Sequence, residues 1–436
     1  MRWLRPVVII TLALGILGAW LLPAVSTDRG SPAGNLLSAL IASYLGAWAI
    51  ALVWSRRPRE VIVRNLGLAS VGLAVAVGLV EGLAALDLVD FPRLFGNPIP
   101  EVARPWNQPD PQLIHIHKPG SRLTGQRRGG DLAFHLGAPP WRTYTWDVTM
   151  DEQGFRNPPG RRDGHYAMLG DSFVEGIHVK DSDVISAVLE SATGRAVLNF
   201  GQGAYGPYQE RVVLDRFVLA RQPRVVIWTF YEGNDLIDLA LYRDATRDWE
   251  AFIGQFQSLP RRRMFTKNLL VSLGDRLYPP LLRRSARDFE CRVRQAGGGD
   301  ASLYFLYGLG PLTERDMKDV VEFGEILHAA HTALSARGIR LVLAYVPTKF
   351  RVYQPYCRIH PGSAIAAWQV NDLPQRIEAL ASGIAPDIVF VDLTASLRAE
   401  AARGELVYFP DDTHWSERGH RVAGEALARA LSSAGL

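Results

Sequence analysis

The sequence predicts an α/β domain, a parallel sheet with helices on both faces, carried behind N-terminal transmembrane helices. Three observations lead there. The first 90 residues are strongly apolar, whereas the rest has the composition of a soluble domain. From about residue 165, short β-branched or aromatic runs alternate with segments of helical spacing. Small groups of Gly, Ser, Asn, Asp and His stand at the ends of those runs, where open α/β sheets place their sites.

The apolar region reads as a membrane anchor over residues 1–88 with three spans, at about 7–27, 34–55 and 61–86. Pro6 to Thr27 and Ser31 to Ser55 carry no charge, and each exceeds the roughly 20 residues needed to cross a bilayer. The third stretch holds Arg64 near its start and Glu81 near its end, where charged side chains snorkel to the interface. Arg2 and Arg5 precede the first span, and Arg56, Arg57, Arg59 and Arg64 lie between the second and third. The positive-inside bias puts both groups in the cytoplasm, so everything after the third span faces the periplasmic, extracytoplasmic side. Ala24-Val25-Ser26 loosely resembles a signal-peptide cleavage site, and cleavage there would leave the large domain on the same side.

Residues 89–160 read as a β-rich lead-in, with short apolar runs between turn signals such as Pro119-Gly120 and Gly129-Gly130. His115 and His117 would share one face of a strand. With no third ligand evident, two surface histidines are the favoured reading over a metal pair. Strands are expected at Tyr166–Leu169, Ala196–Phe200, Arg224–Phe230, Arg340–Val346 and Asp387–Leu393. Helices are expected at Asp181–Ala192, Pro207–Ala220, Asp316–Ala336 and Ser416–Leu431. The stretch from about 240 to 312 breaks this rhythm and reads as a partly helical insertion within a domain spanning 161–436. It contains Arg261-Arg262-Arg263, which is either a solvated face or a site for anionic headgroups.

The net charge of +4 is small for 436 residues, and no basic run is interleaved with aromatics, so nucleic acid is not an expected partner. The two cysteines, Cys291 and Cys357, are too few for a metal-thiolate site. They form either a disulfide outside the cytoplasm or two buried thiols.

Four groups stand at strand ends: Gly170-Asp171-Ser172, Asn199 to Gly206, Gly233-Asn234-Asp235, and Asp411-Asp412-Thr413-His414-Trp415. Each alone is weak, since glycines make turns and Asn or Asp caps helices. Together they supply an acyl-transfer site. A serine hydroxyl needs a base, which His414 provides, and the imidazole needs an orienting acid, for which Asp411 lies three residues earlier. The oxyanion donors would be the N–H of Ser172, an N–H in the Gly203-Ala204 turn and the Asn234 amide.

In these residues the chain resembles the SGNH, or GDSL, hydrolase superfamily over about 165–436. The resemblance implies a flavodoxin-like sheet and the roles just given to Ser172, His414, Asp411 and Asn234. The family's second-block glycine falls at Ala204, with Gly203 just before it, so either N–H is the donor. Val346-Pro347-Thr348-Lys349 and Asp412-Thr413-His414-Trp415 also look like proteins that O-acetylate exopolysaccharides such as alginate. Asp171 and Lys349 are the candidate substrate contacts, although an exposed lysine after a strand is the favoured reading for Lys349.

The function expected from sequence is a membrane-anchored extracytoplasmic esterase that removes acyl groups, acetyl above all, from cell-envelope glycans. An O-acyltransferase with the same triad is the alternative, and a silent binding module is a third. No cofactor or metal is expected.

Overall fold

The computed structural model describes residues 32–55, 58–86, 88–89, 91–95, 101–257, 264–277 and 286–436. The first predicted span, Arg56-Arg57 and the Arg261–Arg263 run lie outside these residues.

The chain forms two compact units. One comprises Met1–Pro100 and Ile253–Arg283; the other comprises Glu101–Phe252 and Arg284–Leu436. The expected insertion is therefore divided, its middle grouping with the N-terminal helices. The expected lead-in groups, from Glu101 on, with the sheet.

In the first unit, helices Pro32–Trp54 and Arg59–Ala85 are each long and apolar enough to cross a membrane. They coincide with the second and third expected spans. Glu81 has a specific partner there. Its carboxylate accepts the N–H groups of Phe265 and Thr266, both at 2.8 Å, at the start of helix Phe265–Leu277. Those donors have no partner within their own helix, and a carboxylate suits the positive end of its dipole. The Phe265 ring packs against Phe91 and Phe95, with centroids 5.1 and 5.9 Å away.

The second unit opens with two antiparallel pairs: β1 (Asn107–Asp110) with β2 (Ile114–His117), and β3 (Arg122–Arg128) with β4 (Thr143–Thr149). Then come β5 (Tyr166–Gly170), β6 (Val197–Gly201) and β7 (Val225–Tyr231). An antiparallel pair follows, β8 (Glu290–Arg294) and β9 (Asp300–Tyr304), then β10 (Arg340–Val346), the short β11 (Arg358–Ile359) and β12 (Val389–Asp392). The main sheet is parallel in the order β12-β10-β7-β5-β6. Counted along this sheet, its second strand lies outside the first and the third lies on the other side, which is the flavodoxin-like order. Its switch point falls between β5 and β7, the strands that precede Ser172 and Asn234.

β5, β6 and β7 are buried along their whole length, as strands covered on both faces must be. Alternate side chains enter two cores. Tyr166, Met168 and Ile227 pack with Ile185, Leu189 and Leu427 on one face. Ala167, Leu169 and Trp228 pack with Phe323, Leu327 and Ile377 on the other. The helix from Pro207 is regular only to Val213; a wider turn over Leu214–Val218 and a tighter one over Leu219–Arg221 carry it on.

The sequence reading missed helices Leu373–Ile384 and Thr394–Ala402, and the three-stranded sheet β11-β8-β9. Gly297-Gly298-Gly299 belongs to the hairpin turn of that sheet, where Gly298 and Gly299 adopt φ of 85° and 83°, accessible mainly to glycine. Cys291 and Cys357 are joined in a disulfide that closes 66 residues of chain. Replacing both by alanine is expected to destabilise the second unit by about 2–4 kcal/mol through the freed denatured chain. Thermal unfolding of the detergent-solubilised protein, read beside the wild type with and without reductant, checks this.

Candidate active site

Ser172 follows β5 directly. A Cβ at Gly170 would lie 2.0 Å from Thr229 Oγ1 and 2.7 Å from Val174 Cγ2, so only glycine lets the strand end this close to its neighbours. Asp171 then caps the single turn Ser172–Glu175, accepting the Phe173 N–H at 2.9 Å. Gly176, at φ 64°, ends the turn. This leaves Ser172 half-buried at the head of a helical turn, with its Oγ 2.8 Å from His414 Nε2.

The acid beside His414 is Asp412, which corrects the assignment of Asp411. Asp412 Oδ1 lies 2.7 Å from His414 Nδ1 and also accepts the His414 backbone N–H at 3.0 Å. That bond to the residue two ahead is an Asx turn, and it folds the carboxylate back beside the ring. Asp412 is fully buried, and its Oδ2 accepts the Asp131 N–H at 2.8 Å. Asp411 points the other way. It accepts the N–H of Gly130 at 3.0 Å, the N–H of Trp141 at 2.7 Å and the Tyr144 hydroxyl at 2.5 Å. Its work is to bind the loop to the β3–β4 region. Gly130 is needed at that approach, because a Cβ would meet the Asp411 carbonyl oxygen at 2.4 Å.

Two more expectations are corrected. Lys349 is neither exposed nor free for substrate: it is buried, and its ammonium donates to the carbonyls of Phe409 at 2.9 Å, Pro410 at 3.1 Å and Asp412 at 2.8 Å. Burial pushes it down to about 8, against the pull of Asp131, Asp412 and Asp411. Asp171 is buried in its cap rather than turned to substrate, and burial raises its carboxyl.

Among the expected oxyanion donors, the Gly203 N–H is engaged by Glu175 Oε2 at 2.8 Å. That leaves Ala204, whose φ of 62° is unusual for a residue with a side chain. The Asn234 amide donates to Asp238 Oδ2 at 2.7 Å at the start of helix Asp235–Arg247. His115 and His117 are buried, not surface residues. They contact Gly203 and Glu175, a link that no sequence motif indicated.

Burial works against charge on His414, but the Asp412 carboxylate and its hydrogen bond outweigh it and raise the imidazole above its ordinary value. Burial likewise pushes Asp412 up, while the His414 charge and hydrogen bonds hold it well below the usual carboxylate range. His178 brings a third ligand-type group near: donor atoms of His178, Asp412 and His414 lie within 4.8 Å of one another. Holding a metal there would take His414 Nδ1 away from its acid. Beside Thr413, a small cleft is lined by Tyr231, Phe305, Tyr307 and Lys349 among others. The buried hydroxyls of Tyr231 and Thr413 on its wall have no hydrogen-bond partner among the described residues.

A serine–imidazole–carboxylate line on a flavodoxin-like sheet is joined by a family match. Residues 312–436 match the family described as SGNH hydrolase-like domain, acetyltransferase AlgX. That match assigns the C-terminal segment, residues 312–436, to an SGNH hydrolase-like domain. The matched SGNH segment holds β10, Lys349, β12, Asp412 and His414. A Pseudomonas putida protein named probable alginate O-acetylase AlgJ is 36% identical over 107 residues, 24% of this chain and 26% of its own. Its Pseudomonas fluorescens namesake is 29% identical over 107 residues, with the same shares. This chain therefore spans about a quarter of the length of the curated relatives it matches. Among solved structures, a lipase/acylhydrolase from Enterococcus faecalis shares 13% identity over 62% of this chain and 95% of its own, with a TM-score of 0.32.

The two neighbouring aspartates are separable by titration. Because the Asp412 carboxylate favours the imidazolium, Asp412→Asn should lower the midpoint at which His414 deprotonates. Asp411→Asn should leave that midpoint in place and cost about 1–3 kcal/mol of stability by disturbing a buried acceptor. Ring-nitrogen NMR of His414 across pH, paired with thermal melts, reads both effects.

Proposed function

We propose that this protein is a membrane-anchored acyl-transfer enzyme acting on esters outside the cytoplasm. The observation that carries the reading is the continuous line from Ser172 Oγ through His414 to Asp412, with contacts of 2.8 and 2.7 Å. In the first step, Ser172 Oγ attacks the carbonyl carbon of an acyl donor while His414 Nε2 takes the hydroxyl proton. Asp412 keeps the ring aligned and stabilises the imidazolium. The Ser172 and Ala204 N–H groups and the Asn234 amide receive the oxyanion, Asn234 turning from Asp238 to do so. The intermediate then collapses: the bond to the donor's leaving oxygen breaks, and that oxygen takes the proton from His414. In the second step an acceptor hydroxyl attacks acyl-Ser172, gives its proton to His414, and Ser172 leaves with it.

From sequence alone, water was the preferred acceptor. The matched family's description as an acetyltransferase and the relatives' names as alginate O-acetylases favour a glycan hydroxyl and an acetyl group. The apolar helices, with the basic residues grouped before the first span and between the second and third, support an anchored enzyme facing the cell envelope.

Ser172→Ala and His414→Ala should abolish turnover of an activated acetyl ester by the full chain in detergent, and Asp412→Asn should lower kcat by roughly 10⁴-fold. Retained turnover in Ser172→Ala would sink the assignment. The fate of the acyl group is read by supplying the ester with and without an uncharged or uronic-acid polysaccharide. Acetylated polysaccharide in excess of free acetate supports transfer; free acetate alone supports hydrolysis.

A further inference from the structure

The lead-in strand β2 brings two buried histidines against the turn that follows β6. His117 Nε2 lies 2.7 Å from Glu175 Oε1, and its Nδ1 faces Asn107 Oδ1. Asn107 donates its amide to the Glu101 carbonyl at 2.8 Å, so its oxygen is the atom turned to the ring. Both nitrogens of His117 therefore face side-chain oxygens, and the ring is clamped between Asn107 and Glu175. The His117 and Glu175 side chains are both buried at this contact, 3% and 5% exposed. Against burial, which pushes its carboxyl up, the His117 hydrogen bond and charge hold Glu175 low.

The second oxygen of Glu175 accepts the Gly203 N–H at 2.8 Å. The Gly203 carbonyl is 3.1 Å from His115 Nε2. Burial pushes His115 down to about 4, so its ring is neutral, and a carbonyl partner requires the proton on Nε2. Tyr205 holds His115 in turn: its hydroxyl donates to the His115 carbonyl at 2.6 Å and its ring packs edge-on at 5.4 Å. Gly203 is thus gripped at both its N–H and its C=O. The next residue, Ala204, sits at φ 62°, a conformation unfavourable for a non-glycine residue that persists only where its surroundings enforce it.

We propose that the His117–Glu175 pair, with His115 opposite, is a positioning device that holds the Gly203-Ala204 turn so that the Ala204 N–H meets the oxyanion formed at Ser172. The proposal rests on the acyl-transfer reading of Ser172. Glu175 lies on the same helical turn as Ser172, three residues along, so one short element places the nucleophile and, through its last side chain, the oxyanion donor. His117 keeps that carboxylate charged and aimed. None of the three side chains needs to touch substrate.

The test uses the full chain in detergent with p-nitrophenyl acetate as substrate and a fluorophosphonate to count reactive serines at endpoint. Glu175→Gln should lower kcat per labelled site by about 10²-fold, the effect of a lost oxyanion donor, with KM changed less than about threefold. His115→Phe keeps the packing against Tyr205, removes one neutral hydrogen bond and should cost about tenfold in kcat. If Glu175→Gln fails to fold, His115→Phe decides alone. Wild-type kcat per labelled site in the folded variants would overturn the proposal. So would an activity loss fully matched by loss of labelled sites, which means fewer folded molecules rather than poorer ones. Activity or labelling retained in Ser172→Ala would instead overturn the acyl-transfer reading itself.

Discussion

The site is organised around one buried carboxylate. Asp412 accepts the backbone N–H and the imidazole of His414, and it also accepts the N–H of Asp131 from the lead-in. A buried charge of this kind is tolerable only when its lone pairs are filled, and here they are filled by three groups from two places in the chain. Directly behind it, the Lys349 ammonium gathers three carbonyls of the same loop, including that of Asp412. Opposite charges thus fix the loop from both sides, and the imidazole has little freedom to leave Ser172.

The lead-in is consequently part of the machinery rather than a spacer. Residues 130–144 are bonded to Asp411 and Asp412, and β2 reaches the turn after β6. A standard sheet with its four strand-end groups supplies the reacting atoms. The approach of a separate β-rich segment supplies much of their placement.

The sheet and the residues that form the Ser172–His414 contact were legible in the sequence for physical reasons. Parallel strands that are mostly buried read as apolar runs, and all five were placed within a few residues. Ser172 and His414 were legible because strand ends bearing polar groups are few and ordered. Asp411 was chosen over Asp412 because spacing alone does not show which of two adjacent side chains turns inward; the Asx turn to the His414 N–H decides it. His115, His117 and Lys349 were misjudged for one shared reason. Each is buried by a partner distant in the chain, and an isolated polar residue after or within a strand looks solvated until that partner is known. The helix partner of Glu81 was hidden in the same way, 184 residues downstream.

The division into two units has a consequence for how the catalytic part is attached. The chain passes between the units at residues 100–101, again at 252–253 and again at 283–284. Only the first of these junctions joins the Ser172 unit covalently to the helices Pro32–Trp54 and Arg59–Ala85; the other two bracket a segment, 253–283, that groups with those helices. One proteolytic nick at any of these junctions leaves the other two intact. A cut at 100–101 alone would break the covalent link and leave the Ser172 unit held to the helices by that segment, through contacts such as those of the Phe265 and Thr266 N–H groups with Glu81.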